Sequence, residues 1–149
     1  MEIPVKRFDK NYPLPAHDEG AACFDLICRE DVTIPPHQLK AVPQNIALQV
    51  PTGYALLLFS RSSTPLRKGL ILANGVGVVD SFYNGDKDEN LAFFLNVTDS
   101  PVEVRAGEKI VQGMIVKTEP ITWAELEALE HEGVGGYNYI NDKDEEVRF

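Results

Sequence analysis

With 149 residues, 44 % of them hydrophobic, the chain is long enough to build one domain around a real core without disulfide or metal staples. Its 14 basic and 23 acidic side chains give a net charge of -9, and no long basic block or aromatic-basic interleaving appears, which argues against a nucleic-acid polymer as partner. No stretch approaches the roughly twenty apolar residues of a membrane helix and no basic-then-apolar leader opens the chain, so the expected setting is cytoplasmic, away from membranes.

Short apolar segments punctuated by Pro and Gly run through most of the chain. Predicted strands are Ile3 to Phe8, Ala22 to Cys28, Asp31 to Ile34, Gln38 to Val42, Asn45 to Val50, Tyr54 to Phe59, Leu70 to Ala73, Val76 to Val79, Asn90 to Val97, Val102 to Val104 and Lys109 to Val116. This spacing predicts an all-β fold, a distorted barrel or jelly-roll-like sandwich. Ile46, Leu48 and Val50 alternate as a strand with one buried face should. A faint echo between Asp31 to Val42 and Pro101 to Val111 predicts two similar hairpins. Near the end, Thr122 and Glu125 form a capping box and Trp123, Leu126 and Leu129 an apolar stripe, predicting a short C-terminal helix over 123–130. The glycines and charged run beyond it predict a domain ending at 137 and a mobile tail over 138–149. Cys23 and Cys28 lack partners for a four-ligand zinc pattern and read as core thiols.

Five places carry candidate chemistry. Asp25 interrupts an apolar strand, and a carboxylate there is costly unless it is paired, hydrogen-bonded or near a metal. Arg61-Ser62-Ser63 follows a strand, where hydroxyls and a forked guanidinium suit phosphate oxygens, or else simply begin a capped short helix. Asn74 to Gly85 joins Gly75 and Gly77, an apolar run, Asp80 and Tyr83. Its glycines let a planar ligand approach the main chain, and its strand carries Asp80 to a rim. Gln112 puts an amide into an apolar strand, and Gly133 to Tyr137 is a flexible glycine segment ending in an aromatic ring. His17, His37 and His131 have no metal-ligand spacing, and no Ser-His-Asp order points to covalent catalysis.

In order, Gly20-Ala-Ala-Cys-Phe-Asp25-Leu, Arg61-Ser62-Ser63, Asn74 with Gly77-Val-Val-Asp80-Ser-Phe-Tyr83-Asn-Gly85, and Gly107-Glu-Lys-Ile-Val-Gln112 resemble the successive motifs of the trimeric dUTP diphosphatase family. The resemblance implies a β-rich subunit of the dUTPase type, a homotrimer whose active sites are shared between chains, and magnesium-dependent hydrolysis of dUTP to dUMP and diphosphate. It assigns Asp80 as the base for the attacking water, Asn74 and the backbone near Gly77 to uracil, and Tyr83 to the deoxyribose. Arg61, Ser62, Ser63 and Gln112 go to the phosphates, Tyr137 to stacking on the base, and Asp25 to Mg²⁺ through water.

The chain departs from the family pattern at Cys23 and Ser60, at a turn Asp86 to Glu89 about three residues longer than usual, and most at the fifth motif. There Tyr137 keeps a ring, but Glu132 reverses the charge of a phosphate-binding Arg and Tyr139 replaces a small hydroxyl, so Lys87 of the long turn is a candidate replacement contact. Two other readings remain. A dCTP deaminase relative would need a carboxylate in the strand after the third motif, where Leu91 to Asn96 has none. A non-catalytic nucleotide-binding regulator would fit the altered fifth motif.

Overall fold

β-branched and large apolar residues at alternate positions, closed off by Pro and Gly turns, form strands at every one of the eleven stretches expected up to residue 117. In the computed structural model, which describes residues 1–129, 138–140 and 146–148, these are β1 (Val5–Arg7), β2 (Phe24–Leu26), β3 (Val32–Ile34), β4 (Leu39–Pro43), β5 (Ile46–Leu48), β6 (Tyr54–Ser60), β7 (Leu70–Leu72), β8 (Gly77–Val79), β9 (Leu91–Asn96), β10 (Val102–Val104) and β11 (Val111–Lys117). Most strands are shorter than the sequence stretches, while β6 runs one residue further, to Ser60.

The architecture is all-β and jelly-roll-like. A four-stranded sheet runs β2-β11-β6-β8 and a three-stranded sheet β4-β9-β7, with two-stranded pairs β1-β5 and β3-β10. Between them lies a core that includes Leu26, Ile34, Val42, Leu56, Leu58, Leu70, Phe94, Val104 and Val111, all at most 1 % exposed. Burying each such side chain contributes about 1.5–3 kcal/mol, which is what holds these short strands together.

Several sequence expectations change. β5 does not alternate: Ala47 is buried along with Ile46 and Leu48, because the strand is covered on both faces. The two echoing segments are not hairpins. Their first strands pair with each other, Val102 opposite Ile34 and Val104 opposite Val32, while their second strands join different sheets. That exchange is what wraps the sheets into one body.

The helix expected over 123–130 is absent from its described residues, 123–129. Its stripe is exposed, Trp123 by 90 % and Leu129 by 83 %, so no burial offsets the cost of nucleating so short a helix. The one α-helix among the described residues is instead α1 (Ser63–Lys68), ended by Gly69 at φ 61°, whose N–H donates to the Pro65 carbonyl at 2.9 Å.

By its internal contacts the chain divides into two compact units, Met1–Glu119 and Pro120–Phe149. In the second unit, β12 (Asn138–Ile140) and β13 (Glu146–Arg148) pair antiparallel. No helix among the described residues is long and apolar enough to cross a membrane.

Candidate active site

The four-stranded sheet brings three distant stretches into one row. On β11, Gln112 stands opposite Asp25 of β2 on one side and Phe59 of β6 on the other, so Asp25 and Gln112 share a face. Arg61 emerges one residue past the end of β6 and closes the row. Its Nε lies 3.1 Å from Asp25 Oδ1, and its NH1 donates to the Lys109 carbonyl at 3.4 Å. Lys109 Nζ approaches the second Asp25 oxygen at 3.5 Å, and Gln112 Nε2 donates to the Ser60 carbonyl at 3.2 Å. The charge that looked costly in the sequence is thus half-buried and paired with two cations. Lys109 is the member that sequence reasoning missed, because nothing local links it to Asp25.

Main-chain and hydroxyl bonds lock the row. The Ile110 carbonyl accepts from Arg61 N–H at 3.1 Å and from the buried Thr64 hydroxyl at 2.9 Å, fastening the start of α1 to β11. The Cys28 N–H donates to the Glu108 carbonyl at 2.9 Å, and the Gly107 N–H to the Cys28 carbonyl at 2.7 Å. Ser62 takes the N-cap position of α1, yet its hydroxyl makes no cap bond and is exposed. Its oxygen is free for a ligand, whereas Ser63 is already part of the helix.

Asn74 to Tyr83 forms a separate feature. Asn74 is exposed in the turn between β7 and β8, where the Gly75 N–H donates to the Leu72 carbonyl at 3.0 Å. Among the described residues β8 is an edge strand, so one side of its peptide groups has no partner strand there and can meet a planar polar ligand. Gly77 itself is glycine for a different reason: a Cβ there would meet Leu58 Cβ at 3.0 Å on the core side.

Past β8, Asp80 Oδ1 accepts the Phe82 N–H at 2.9 Å, which fixes the carboxylate and leaves Oδ2 uncommitted among the described residues. The Tyr83 hydroxyl donates to the Glu89 carbonyl at 2.9 Å. Burial, and then the nearby Asp88 and Glu89 charges, push the Tyr83 phenol above its ordinary pKa, so it stays a neutral donor.

The two groups are not brought together within the chain. β8 pairs with β6 from Gly77 opposite Leu58 to Val79 opposite Leu56, so Asp80 follows beyond the Leu56 row while Gln112 faces Phe59. At the strand rise this separates Asp80 from the Asp25 row by about 13 Å along the strands. A cavity of about 600 Å³ is apolar and lined by other residues, among them Ile3, Leu14, Phe24 and Tyr54. A smaller one of about 300 Å³ borders Cys23, Asp25, Asn45 and Lys109. Tyr137 and Glu132 of the fifth motif lie outside the described residues.

Among the described residues no cluster of three His, Cys, Asp or Glu could grip a metal by itself. One carboxylate beside cationic and amide donors suits an ion carried in by phosphates, since Mg²⁺ is commonly held by one or two carboxylates, waters and substrate oxygens.

Residues 10–139 match the family model described as dUTPase. A deoxyuridine 5'-triphosphate nucleotidohydrolase of Helicobacter pylori (strain P12) is 34 % identical over 140 residues, covering 92 % of this chain and 94 % of that protein. The crystal structure of a dUTPase from Streptococcus mutans superposes with a TM-score of 0.72 at 33 % identity, over 80 % of this chain and 98 % of that one. A mutant dUTPase of the S. aureus phage phi11, solved with details of a structural Mg(II) ion, shares the fold at a TM-score of 0.75 and 19 % identity, over 88 % of this chain and all of that one.

Proposed function

The chain belongs to the dUTPase family, and from that premise we propose how its residues divide the hydrolysis of dUTP to dUMP and diphosphate. The observation that carries the reading is the meeting of Asp25, Arg61 and Gln112, from three distant stretches, on one face of one sheet.

Arg61, Ser62, Ser63 and Gln112 bind the triphosphate. The Arg61 guanidinium is held by Asp25 through Nε, leaving donors for phosphate oxygens, and Ser62 offers an uncommitted hydroxyl. Asn74 and the free edge of β8 at Gly77 read uracil by hydrogen bonds that a wrong base would leave unmade. Tyr83 packs against the sugar and excludes a 2′-hydroxyl, and Tyr137 is proposed to stack on the base. Asp80 orients a water through its free Oδ2 and takes its proton as the water oxygen attacks the α-phosphorus; the bond to the bridging oxygen breaks and diphosphate leaves. Mg²⁺ bound with the triphosphate would be held by Asp25 through water and would neutralise phosphate charge.

We further propose a homotrimer with shared sites. The separation of Asp80 from the Asp25 row supports it, because a second copy is needed to bring the two together. An apolar face also supports it: exposed Leu39, Ala41, Ile71, Leu91 and Phe93 line one side of the β4-β9-β7 sheet. The cytoplasm is the proposed location, in keeping with a nucleotide substrate and two free cysteines.

A nucleotide panel with Mg²⁺, reading diphosphate and ammonia separately, tests the assignment. Diphosphate from dUTP, lost in Asp80→Asn, is the expected result. Ammonia from dCTP would point to a deaminase instead. Tight nucleotide binding with neither product would point to a regulator.

A further inference from the structure

The long turn after Tyr83 ends in a buried carboxylate that the hydrolysis itself does not use. Glu89 is 9 % exposed. Its Oε1 accepts from Arg29 Nε at 2.9 Å and from the Asn45 N–H at 2.9 Å, and its Oε2 from the same Arg29 nitrogen at 3.1 Å. Arg29 is itself fastened, its N–H donating to the Pro43 carbonyl at 3.0 Å and its NH1 lying 3.0 Å from Glu30. Asn45 sits at φ 64°, and its side chain bonds both the N–H and the carbonyl of Asp9. Next to Glu89, the Asn90 N–H donates to the Ile46 carbonyl at 2.8 Å and the Gln44 N–H to the Asn90 carbonyl at 2.9 Å. The near end of the turn is pinned as well: Lys6 Nζ donates to the Asp86 carbonyl at 2.7 Å and meets its carboxylate at 2.8 Å.

A buried carboxylate is costly unless it is fully paired, so a turn that buries one gains a single fixed position in return. What that position delivers is the Glu89 carbonyl, which accepts the Tyr83 hydroxyl at 2.9 Å. A ring pivoting on an exposed loop would be free to swing aside. Here its far end is tied to a point set by the connection between β4 and β5.

We propose that Glu89 is a positioning residue for sugar selection: its carboxylate, gripped by Arg29 and the Asn45 N–H, holds the long turn so that the Glu89 carbonyl keeps the Tyr83 ring from yielding to a ribose 2′-hydroxyl. This rests on the reading of Tyr83 as the sugar contact. Selectivity then depends on how firmly the ring is held as well as on the ring being there, because a wall that gives way by an ångström no longer rejects one oxygen.

The test measures kcat and KM for dUTP and UTP with Mg²⁺ in the wild type, Tyr83→Phe, Glu89→Ala and Tyr83→Ala, with thermal melting alongside. Tyr83→Phe keeps the ring and removes only the tether, so it carries the test even where Glu89→Ala fails to fold. The expected result is a dUTP-over-UTP ratio of kcat/KM reduced about tenfold in Tyr83→Phe and Glu89→Ala, chiefly through a lower KM for UTP, and reduced further in Tyr83→Ala. If Tyr83→Ala relaxes the ratio while Tyr83→Phe and Glu89→Ala leave it unchanged, Glu89 only stabilises the turn and the inference falls, while the sugar reading stands. An unchanged ratio in Tyr83→Ala would overturn the sugar reading itself, and the inference with it.

Discussion

The Asp25 row and the turn after β8 hold their polar groups in opposite ways. The row relies on side chains from different strands: Asp25 between Arg61 and Lys109, and Gln112 on the Ser60 carbonyl. The turn after β8 relies on main chain, with Asp80 fixed by the Phe82 N–H and Tyr83 by the Glu89 carbonyl. A row of charges can re-pair when phosphates arrive, since Arg61 and Lys109 are both partly exposed. A carboxylate fixed by its own backbone keeps one aim, as a base requires. In a trimer with shared sites these two kinds of construction would meet across a subunit boundary.

Mixing two disabled variants breaks or sharpens that comparison most strongly. Asp80→Asn and Arg61→Ala are each expected to lose about 10³-fold in turnover, the first through the base and the second through phosphate charge. If every site takes the Asp25 row from one copy and Asp80 from another, refolding equal amounts together restores wild-type chemistry in roughly a quarter of the sites. Sites built within one chain would recover nothing. Diphosphate release from dUTP before and after mixing gives the answer.

Much of this was legible in the sequence, and what was missed has a common cause. The strands up to Lys117 could be read because apolar alternation and Pro or Gly punctuation are local signals, and the core confirms them. Asp25 announced itself as a charge in an apolar strand, and it is indeed paired. Its second partner, Lys109, gave no signal, nor did Arg29 for Glu89 across 60 positions, because an ion pair between distant strands exists only once the sheets have closed. The failure at 123–130 is the reverse case. The Thr122 and Glu125 capping box is a sound local signal, but a helix of that length needs its stripe buried, and Trp123 lies open. Gly77 was read as room for a ligand, whereas the absent Cβ would have pointed at Leu58.

Alkaline pH probes the strand that carries Asp25 through a buried thiol near its end. Cys28 is fully buried just past the end of β2, three residues beyond Asp25, and burial pushes its thiol from 9.0 up to about 11, against a smaller opposing effect of the Glu30 backbone. A folded pKa raised above the unfolded one gives stability that is complete below pH 9 and lost as pH climbs through about 11. The expected loss across that window is about 2–3 kcal/mol in unfolding free energy. Cys28→Ala should begin less stable and show a flatter decline, leaving only the contribution of groups such as Tyr83. Parallel declines in variant and wild type would mean that the thiol is not what the alkaline limb reports.

The smallest expected effect distinguishes packing from binding at β8. Gly77 lies on the core side of the strand, and a methyl group there meets Leu58 Cβ at 3.0 Å and Leu58 Cδ1 at 3.3 Å. Leu58 is 1 % exposed in the middle of β6, paired with both β8 and β11, so it has no free direction in which to retreat. Gly77→Ala should therefore cost about 1–2 kcal/mol of stability through overpacking. The new methyl points into the core, while the free edge of β8 keeps its peptide groups, so KM for dUTP should stay within about twofold of wild type. A raised KM without any loss in urea-unfolding stability would reverse the assignment and show that the glycine is kept for the ligand. Loss of stability with KM unchanged leaves uracil to be read by the strand edge and gives the glycine to Leu58.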